Sequence, residues 1–388
     1  MKRHRRMVRR RVRLDLLLGF TIGVALLARC VWLSQERPNV ALAQYVETSK
    51  TENLGAVVFL APQRTELTWW SDTSRFCFLM RAVRSVDLHL NQQYGPYPIY
   101  ILVAKDHALD PRKKDGLYTE QDRALIRSWA PHSNVFFQEI NLYSEDALEP
   151  DTTVEQITQW RKGEDGAIEG RDLGYQSMCR LWSGRVQTMD FLQKYTYYLR
   201  MDDDSLLTDQ LPFDPFQQML ERGLEYAWRR NSFEEWGIDK LNEILNRHVE
   251  INYKTPFTSE GEYIGMEPYK NFHVSRVSFW SSPKWQAFWK DLNEEHAFFK
   301  YRLGDANVHA VTIIMIPRGK YDMWHTFPYV HNSNDMEEWG PPAWRLECEA
   351  AEQQVGIDKG QISMIYKVLS NVYNIGFMKD MPRRPMVG

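Results

Sequence analysis

The fold is decided by the segment Tyr195–Ser205, which reads YTYYLRMDDDS. Its first seven residues are mostly aromatic or β-favouring and predict a short strand over residues 195–201. Three carboxylates follow at the carboxyl end of that strand, where open α/β sheets place their ligand crevices. Asp202 and Asp204 point the same way if the extended backbone continues through them.

Three adjacent carboxylates repel one another, and a divalent cation would remove that repulsion. Mg²⁺ and Mn²⁺ take oxygen ligands and commonly bridge carboxylates to the phosphates of a substrate. The sequence therefore predicts a metal site at Asp202 and Asp204. Considered alone, three Asp residues are explained equally well by a solvated acidic turn.

Similar patterns recur upstream of this segment. A continuous apolar run, typical of a buried strand, occupies residues 55–61, and two further buried strands are predicted over 98–104 and 134–140. Helices are predicted over 75–91 and 175–184, whereas the acidic, glycine-containing stretch 144–170 predicts an exposed loop. Alternation of strands with helices indicates an α/β domain with crossover helices.

Charge is distributed unevenly along the 388 residues. The formal net charge is −3, but eight Lys and Arg residues fall within residues 1–13, so the remainder carries −11. An acidic body gives little electrostatic support for nucleic-acid binding, and no nucleic-acid partner is expected.

The amino-terminal region has the pattern of a membrane anchor. Residues 14–33 are almost wholly apolar, and as a helix they would extend about 30 Å, enough to cross a bilayer. The preceding basic residues predict a cytosolic tail over 1–13, a stem over 34–53 and a lumenal catalytic domain over 54–388. A cleaved signal peptide ending near Ala41-Leu42-Ala43 is the alternative.

The four cysteines are less informative. Cys30 lies in the apolar span, which leaves Cys77, Cys179 and Cys348 outside it. One disulfide and one free thiol are possible among these three, and the sequence does not select the pair.

Five ordered segments within residues 175–331 resemble one family. They are Tyr175–Gly184 (YQSMCRLWSG), Tyr197–Asp204 (YYLRMDDD), Phe279–Ser281 (FWS), Gly304–His309 (GDANVH) and Tyr329–His331 (YVH). Their counterparts occur in the fungal-type Golgi α-1,2-mannosyltransferases of the yeast cell-wall and O-mannan pathway. The resemblance implies a GT-A-like fold with a mixed central sheet flanked by helices and preceded by a transmembrane helix. It also implies a single-pass type II protein of the Golgi membrane.

The same resemblance implies a retaining glycosyltransferase that moves mannose from GDP-mannose to a glycan or glycoprotein acceptor, with an α-1,2 linkage. The implied cofactor is Mn²⁺, or Mg²⁺, held by Asp202, Asp204 and His331. Such a cation stabilises the leaving diphosphate without a proton transfer. An ordinary loop histidine is the simpler interpretation of His331 without the family match.

Further site residues follow from the matched segments. Asp202, Asp204 and Tyr175 are assigned to catalysis, and the substrate-binding set is Arg64, Tyr175, Arg180, Trp280 and Asp305. Each has a structural alternative: Tyr175 as a core aromatic, Asp305 as a helix N-cap, and the arginines as members of ion pairs. For Arg200, next to the acidic run, a structural ion pair is at least as simple.

Two departures from the family pattern matter. The family's Glu-Pro-Asp is Asp-Asp-Asp here, which keeps the charge. The family's Phe-Trp-Ser-Asn-Phe-Glu ends in a carboxylate proposed to act near the anomeric carbon, whereas Phe279–Lys284 ends in a cation. A catalytically silent relative that binds nucleotide sugar or glycan is therefore an alternative. A phosphohydrolase using Asp202 as nucleophile and Asp204 as acid is a third.

Overall fold

A computed structural model describes most of the catalytic region. The described residues are 53–61, 63–64, 67–68, 71–105, 117–142, 144–167, 173–248, 255–269, 271–331 and 350–357. The predicted tail, anchor and most of the stem lie outside these residues. Within the described part, no helix is both long and apolar enough to cross a membrane.

Fifteen strands are present in the described residues, and seven of them form one mixed sheet. In chain order the strands are β1 Gly55–Leu60, β2 Leu67–Thr68, β3 Ser71–Ser74, β4 Ile99–Ala104, β5 Val135–Ile140, β6 Tyr197–Met201, β7 Ser205–Leu207, β8 Tyr226–Trp228, β9 Asn231–Phe233, β10 Thr258–Ser259, β11 Glu262–Tyr263, β12 Met266–Pro268, β13 Phe272–Arg276, β14 Tyr321–Met323 and β15 Tyr329–His331. The large sheet has the order β14-β8-β13-β6-β1-β4-β5. Strand β6 is parallel to β1 and antiparallel to β13. Strand pairing in the sheet therefore changes from parallel to antiparallel at β6, the strand that precedes the acidic run.

Helices connect and cover these strands. The α-helices are α1 Arg75–Val86, α2 Gln92–Tyr94, α3 Glu120–Ser128, α4 Val154–Trp160, α5 Leu173–Arg180, α6 Asp190–Gln193, α7 Pro215–Glu221, α8 Ile238–Leu245, α9 Pro283–Glu294 and α10 Asp305–Met315. Ser282 caps α9 through its side chain, and Pro283 follows at the first helical position, as the sequence predicts. Helices α1 and α5 continue as π-helical turns over Asp87–Asn91 and Leu181–Arg185.

Two hydrophobic cores lie on the two faces of the sheet, and β6 contributes to both. Its side chains alternate, so that Tyr198 packs in one core while Tyr197, Leu199 and Met201 pack in the other. All five β6 residues are buried. This double burial fixes the register of β6 and hence the position of the acidic run that follows it.

Two predictions about secondary structure need correction or completion. The stretch 144–170 is not a simple loop, because its described part contains the helix α4, which Thr153 and Gln156 start with a reciprocal capping box. Ile157 and Trp160 then anchor α4 in the core. Of the cysteines in the described residues, Cys77 is disulfide-bonded and Cys179 is a buried thiol outside any disulfide.

Candidate functional site

The predicted metal ligands converge at the carboxyl end of β6. Asp202, Asp204 and His331 each offer a ligand atom, and these atoms lie within 4.8 Å of one another. His331 Nε2 stands 3.1 Å from Asp204 Oδ1. A group of two carboxylates and one imidazole at this spacing has the composition and size of a divalent cation site.

A short antiparallel pair of strands brings the histidine to the carboxylates. Strand β15 pairs with β7, and the register sets His331 opposite Ser205, the residue after Asp204. The Tyr329 hydroxyl lies 2.7 Å from Ser205 Oγ and donates to the Asn271 carbonyl at 2.9 Å. The third ligand is therefore positioned by backbone pairing and by a buried phenol that joins three segments.

Tyr269 fixes the orientation of the His331 ring. Its hydroxyl lies 2.8 Å from His331 Nδ1, which leaves Nε2 directed at Asp204. Burial raises the pKa of Tyr269, so the phenol stays protonated at neutral pH. A histidine ligand whose second nitrogen is held in this way is the usual arrangement in metal sites.

The charge of Asp204 is stabilised although its side chain is almost wholly buried. Burial alone would raise the pKa of this carboxyl, but the hydrogen bond from His331 and the nearby Arg75 guanidinium lower it to about 2. Arg75 NH1 lies 3.3 Å from Asp204 Oδ2 and 3.0 Å from Asp203 Oδ1. Arg75 thus holds the turn that presents the ligand.

Asp202 is held from the other side by Arg200. The Nε and NH2 groups of Arg200 donate to Asp202 Oδ1 at 3.0 and 2.9 Å, and NH1 donates to Asp305 Oδ2 at 2.5 Å. Burial would lower the pKa of Arg200, but the two carboxylates raise it above its ordinary value. The guanidinium also lies 4.3 Å from the centre of the Trp182 ring. Asp305 is therefore connected to the predicted metal ligand Asp202 through Arg200.

The residues present fit a divalent cation. Asp202 and Asp204 are anionic oxygen donors, and His331 offers a ring nitrogen of fixed orientation. Ligation of the cation would use the lone pair of Nε2, and an N–H group at Nδ1 would then donate a hydrogen bond to the Tyr269 hydroxyl. Such a mixed oxygen and nitrogen set suits Mn²⁺ and tolerates Mg²⁺.

Other predicted site residues have structural partners. Arg180 is buried, and its guanidinium donates to Asn293 Oδ1 and to the Ala147 carbonyl. Arg64 donates to Asp122 and to the Val355 carbonyl. Each guanidinium joins segments that are distant in sequence, and a role in substrate binding stays a prediction for each.

Trp280 and Tyr175 differ in accessibility. Trp280 is fully buried, and its indole N–H donates to Ser275 Oγ at 2.9 Å. Its assignment to substrate binding is corrected, because a side chain enclosed by Trp285 and His309 presents no surface to a ligand. Tyr175 lies half-buried on α5 against the core, and its catalytic assignment stays a prediction.

Lys284 lies at the far end of α10 from Asp305. Its ammonium is 3.5 Å from the carbonyl of Met315, the last residue of α10. A helix of this length separates Met315 from Asp305 by about 15 Å. Lys284 is exposed, so its positive charge does not enter the carboxylate cluster.

Sequence reasoning missed two supporting residues, Arg75 and Tyr269. Arg75 is the first residue of α1, more than 120 positions before its acidic partners. Tyr269 follows β12 and was outside the segments that matched the family. A lone arginine or tyrosine gives no signal in one sequence, so only the fold identifies them.

A family model described as glycolipid 2-alpha-mannosyltransferase matches residues 67–354, about three quarters of the chain. The chain belongs to this family. The resemblance stated from the five segments is thereby confirmed, and with it the class of glycosyltransferases.

Individual relatives are more distant. The chain is 26% identical over 178 residues to glycolipid 2-alpha-mannosyltransferase 1 of Candida albicans, covering 42% of this chain and 41% of the relative. It is 27% identical over 191 residues to alpha-1,2 mannosyltransferase KTR1 of Saccharomyces cerevisiae, covering 46% and 49%. The matches thus span less than half of each relative's length.

A solved structure supports the fold. Core-mannan synthase A of Aspergillus fumigatus, in its Mn/GDP form, superposes with a TM-score of 0.58 at 17% identity. The match covers 73% of this chain and 76% of that protein. The expected GT-A-like architecture with a mixed sheet between helices is confirmed at this level.

Proposed function

We propose that this chain is a metal-dependent retaining mannosyltransferase that uses GDP-mannose as donor and a glycan or glycoprotein as acceptor, with an α-1,2 linkage. The observation that carries the proposal is the convergence of Asp202, Asp204 and His331 at the end of β6. Family membership supplies the reaction class, and the Mn/GDP form of core-mannan synthase A supports the choice of metal and nucleotide.

The side chains around the site have separable tasks. A bound divalent cation would supply positive charge to a leaving diphosphate. Arg200 holds one carboxylate and Arg75 the other, so the ligands are oriented before substrate arrives. Tyr269 keeps the His331 ring aimed at the same point. Such fixed dipoles and charges need no reorganisation during the reaction.

The family's carboxylate has no counterpart at the site in either possible register. Besides Lys284, the hexapeptide Phe-Trp-Ser-Asn-Phe-Glu can be aligned through the sole Asn-Phe pair of the sequence, Asn271-Phe272. This register places His273 at the glutamate position. His273 pairs with Arg200 across β13 and β6, and its Nε2 lies 3.0 Å from the Tyr198 hydroxyl, fully buried.

These placements favour a front-face reaction. In such a reaction the acceptor oxygen bonds to the anomeric carbon on the side from which the diphosphate leaves, so configuration is retained. The leaving phosphate oxygen takes the hydroxyl proton, and no protein carboxylate is required beside the sugar. The missing carboxylate also keeps a silent relative as second candidate. A phosphohydrolase is disfavoured, because the matched family model is that of a mannosyltransferase.

Transfer assays test the proposal directly. Purified protein is incubated with GDP-mannose and α-1,2-mannobiose, with Mn²⁺, with EDTA, and with EDTA followed by excess Mn²⁺. We expect trisaccharide only when Mn²⁺ is available, with an α anomer by NMR. Equal rates in EDTA would refute metal dependence. Absence of both transfer and GDP-mannose hydrolysis would favour the silent relative.

We further propose that the protein is a single-pass type II protein of the Golgi membrane. Support comes from the basic residues 1–13 and the apolar residues 14–33, which lie outside the described structure. Alkaline carbonate should leave the full-length chain in the membrane fraction, and protease should spare the catalytic region in intact vesicles. Release by carbonate would contradict the anchor.

A further inference from the structure

Three exposed hydrophobic side chains cluster near the β9–β12 pair. In the described residues five large hydrophobic side chains are exposed, and Phe233, Trp236 and Ile264 are three of them. Phe233 ends β9, and its ring packs beside Gly265, the residue after Ile264. The fractional exposure of Phe233 reaches 60%. Clustered exposure of this kind usually marks a binding surface.

An open groove of about 560 Å³ adjoins this cluster. Its walls include the rings of Trp236 and Tyr301, the carboxylates of Glu235, Asp239 and Glu243, and the ammonium of Lys240. We call these six residues the aromatic groove. A volume of this size accommodates a small organic ligand.

The floor of the aromatic groove is built by a constrained glycine. Gly237 has a φ of +70°, and a Cβ there would meet Leu303 Cδ1 at 2.8 Å and the Tyr301 carbonyl oxygen at 3.0 Å. Glycine therefore lets the start of α8 contact the chain at 301–303 directly. That chain continues into Asp305, which binds Arg200 at the candidate metal site.

The aromatic groove is lined by charges of both signs. Lys240 is engaged by Glu243 at 3.0 Å and by Glu295 at 2.7 Å, and the Arg302 guanidinium lies 4.3 Å from the centre of the Trp236 ring. The ammonium groups of Lys240 and Lys300 lie 5.2 and 5.7 Å from the centre of the Tyr301 ring, so the lining offers hydrogen-bond donors as well as acceptors. Carboxylates accept hydrogen bonds from hydroxyl groups, and aromatic rings pack against the C–H face of a pyranose, so the lining suits a neutral sugar chain.

Strand β9 joins the groove to the candidate metal site. Arg230 precedes β9, and its guanidinium lies 4.2 Å from the centre of the Tyr269 ring, which in turn binds His331. Phe233 is three residues further, about 10 Å along the strand. A ligand seated on Phe233 and Trp236 would extend towards the metal ligands.

We infer that Phe233 and the aromatic groove form an acceptor subsite, which holds the inner units of a neutral glycan while its terminal unit reaches the metal site. The inference rests on the proposed function for the identity of the acceptor. Glycan binding at this subsite can be measured without the transfer step, because none of these side chains is a metal ligand. A docking surface for the protein portion of a glycoprotein is the competing occupant.

The test compares Phe233→Ala and Trp236→Ala with Leu220→Ala, which removes an exposed hydrophobic side chain from α7. Transfer to α-1,2-mannotriose is measured with Mn²⁺ and GDP-mannose. We expect KM for mannotriose to rise at least fivefold in the first two variants, with kcat and the Kd of GDP·Mn²⁺ unchanged. Trp236→Phe should recover most of the loss. Thermal unfolding shows that each variant is folded.

Direct binding separates this inference from the transferase proposal. Saturation-transfer NMR with mannotriose, without donor, should give contacts in the wild type and in Leu220→Ala that are lost in Trp236→Ala. This result would support the subsite even if no transfer were detected. Equal binding by all variants, an unchanged KM, or no glycan binding by the wild type would overturn it.

Discussion

The two ends of helix α10 carry charged neighbours in contrasting environments. At the amino end, Asp305 is 1% exposed and bound to the buried Arg200. At the carboxyl end, the exposed Lys284 stands near the Met315 carbonyl. Both charges complement the helix dipole. Only the buried pair is connected to the metal ligands, so environment, and not charge, distinguishes the functional end.

This contrast predicts that a sign reversal in the family pattern at Lys284 leaves activity intact. A buried charge that loses its partner costs about 3–5 kcal/mol, whereas an exposed pair contributes about 0–1 kcal/mol. Changes around the amino end of α10 should therefore alter activity strongly, and changes at its carboxyl end should not. Four substitutions test the contrast.

The largest effect is expected for Asp204→Ala, which removes a ligand at the buried end. Transfer should fall about 1,000-fold, similar to the loss of a main electrostatic contact in other enzymes. The matched control is Asp209→Asn, an exposed charge removal five residues along the chain and outside the ligand set. Initial rates at saturating Mn²⁺ provide the measurement. A near wild-type rate for Asp204→Ala would exclude this metal site.

Asp305→Asn should have the second largest effect. Arg200 would keep Asp202 but lose its buried partner, and we expect transfer to fall about 10- to 100-fold through weaker positioning. The free energy of unfolding should fall by about 3 kcal/mol. Glu294→Gln, in the exposed pair with Lys290, serves as control and should change neither quantity measurably. Equal losses of activity and stability in Asp305→Asn and in its control would show that burial does not distinguish the amino end of α10.

Tyr269→Phe should have an intermediate effect confined to metal binding. Without the hydroxyl, the His331 ring loses the contact that fixes its orientation, and the Kd for Mn²⁺ should rise about 10-fold. Calorimetric titration measures this change. Tyr94→Phe removes a comparable hydroxyl contact, to the Leu211 carbonyl, and should leave metal affinity unchanged. An unaltered Kd in Tyr269→Phe would show that the phenol does not orient the ligand.

Lys284→Glu should have the smallest effect. A carboxylate at this position would be repelled by the negative carboxyl end of the α10 dipole and attracted by the positive amino end of the α9 dipole. Each interaction is worth about 0.3–1 kcal/mol, and the two have opposite signs. Transfer should change less than threefold. Lys290→Glu, on the same helix, is the control. A gain of tenfold or more in Lys284→Glu alone would mean that this position does serve the chemistry.

Much of the sheet could be predicted because β1, β4 and β6 are buried on both faces, although the edge strand β5, predicted to be buried, exposes Phe136. Predictions at 55–61, 98–104, 134–140 and 195–201 differ from the observed β1, β4, β5 and β6 by at most two residues at either end. Continuous apolar sequence is sufficient to locate such strands. The later strands are short, several with only two or three residues, and carry no period that a sequence pattern could reveal.

The candidate site could be predicted only in part for a related reason. Asp202 and Asp204 are adjacent in sequence, and the family match supplied His331. Arg75 and Asp305, in contrast, meet their partners through folding over more than 100 residues. Whether an arginine binds substrate or holds a carboxylate depends on its neighbours in space. Arg180 and Arg200 look alike in sequence, yet only Arg200 contacts a predicted ligand.

Because β7 pairs with β15, a cation at the candidate site would link two distant segments of the chain. Ser205 and Tyr329 are joined across 124 residues of chain, Asp204 directly precedes β7, and His331 ends β15. A ligand at 100 times its Kd stabilises the folded state by about 2.7 kcal/mol. A divalent cation bound at Asp202, Asp204 and His331 should therefore slow unfolding of this region, and added Mn²⁺ should lengthen the survival of the purified protein during proteolysis.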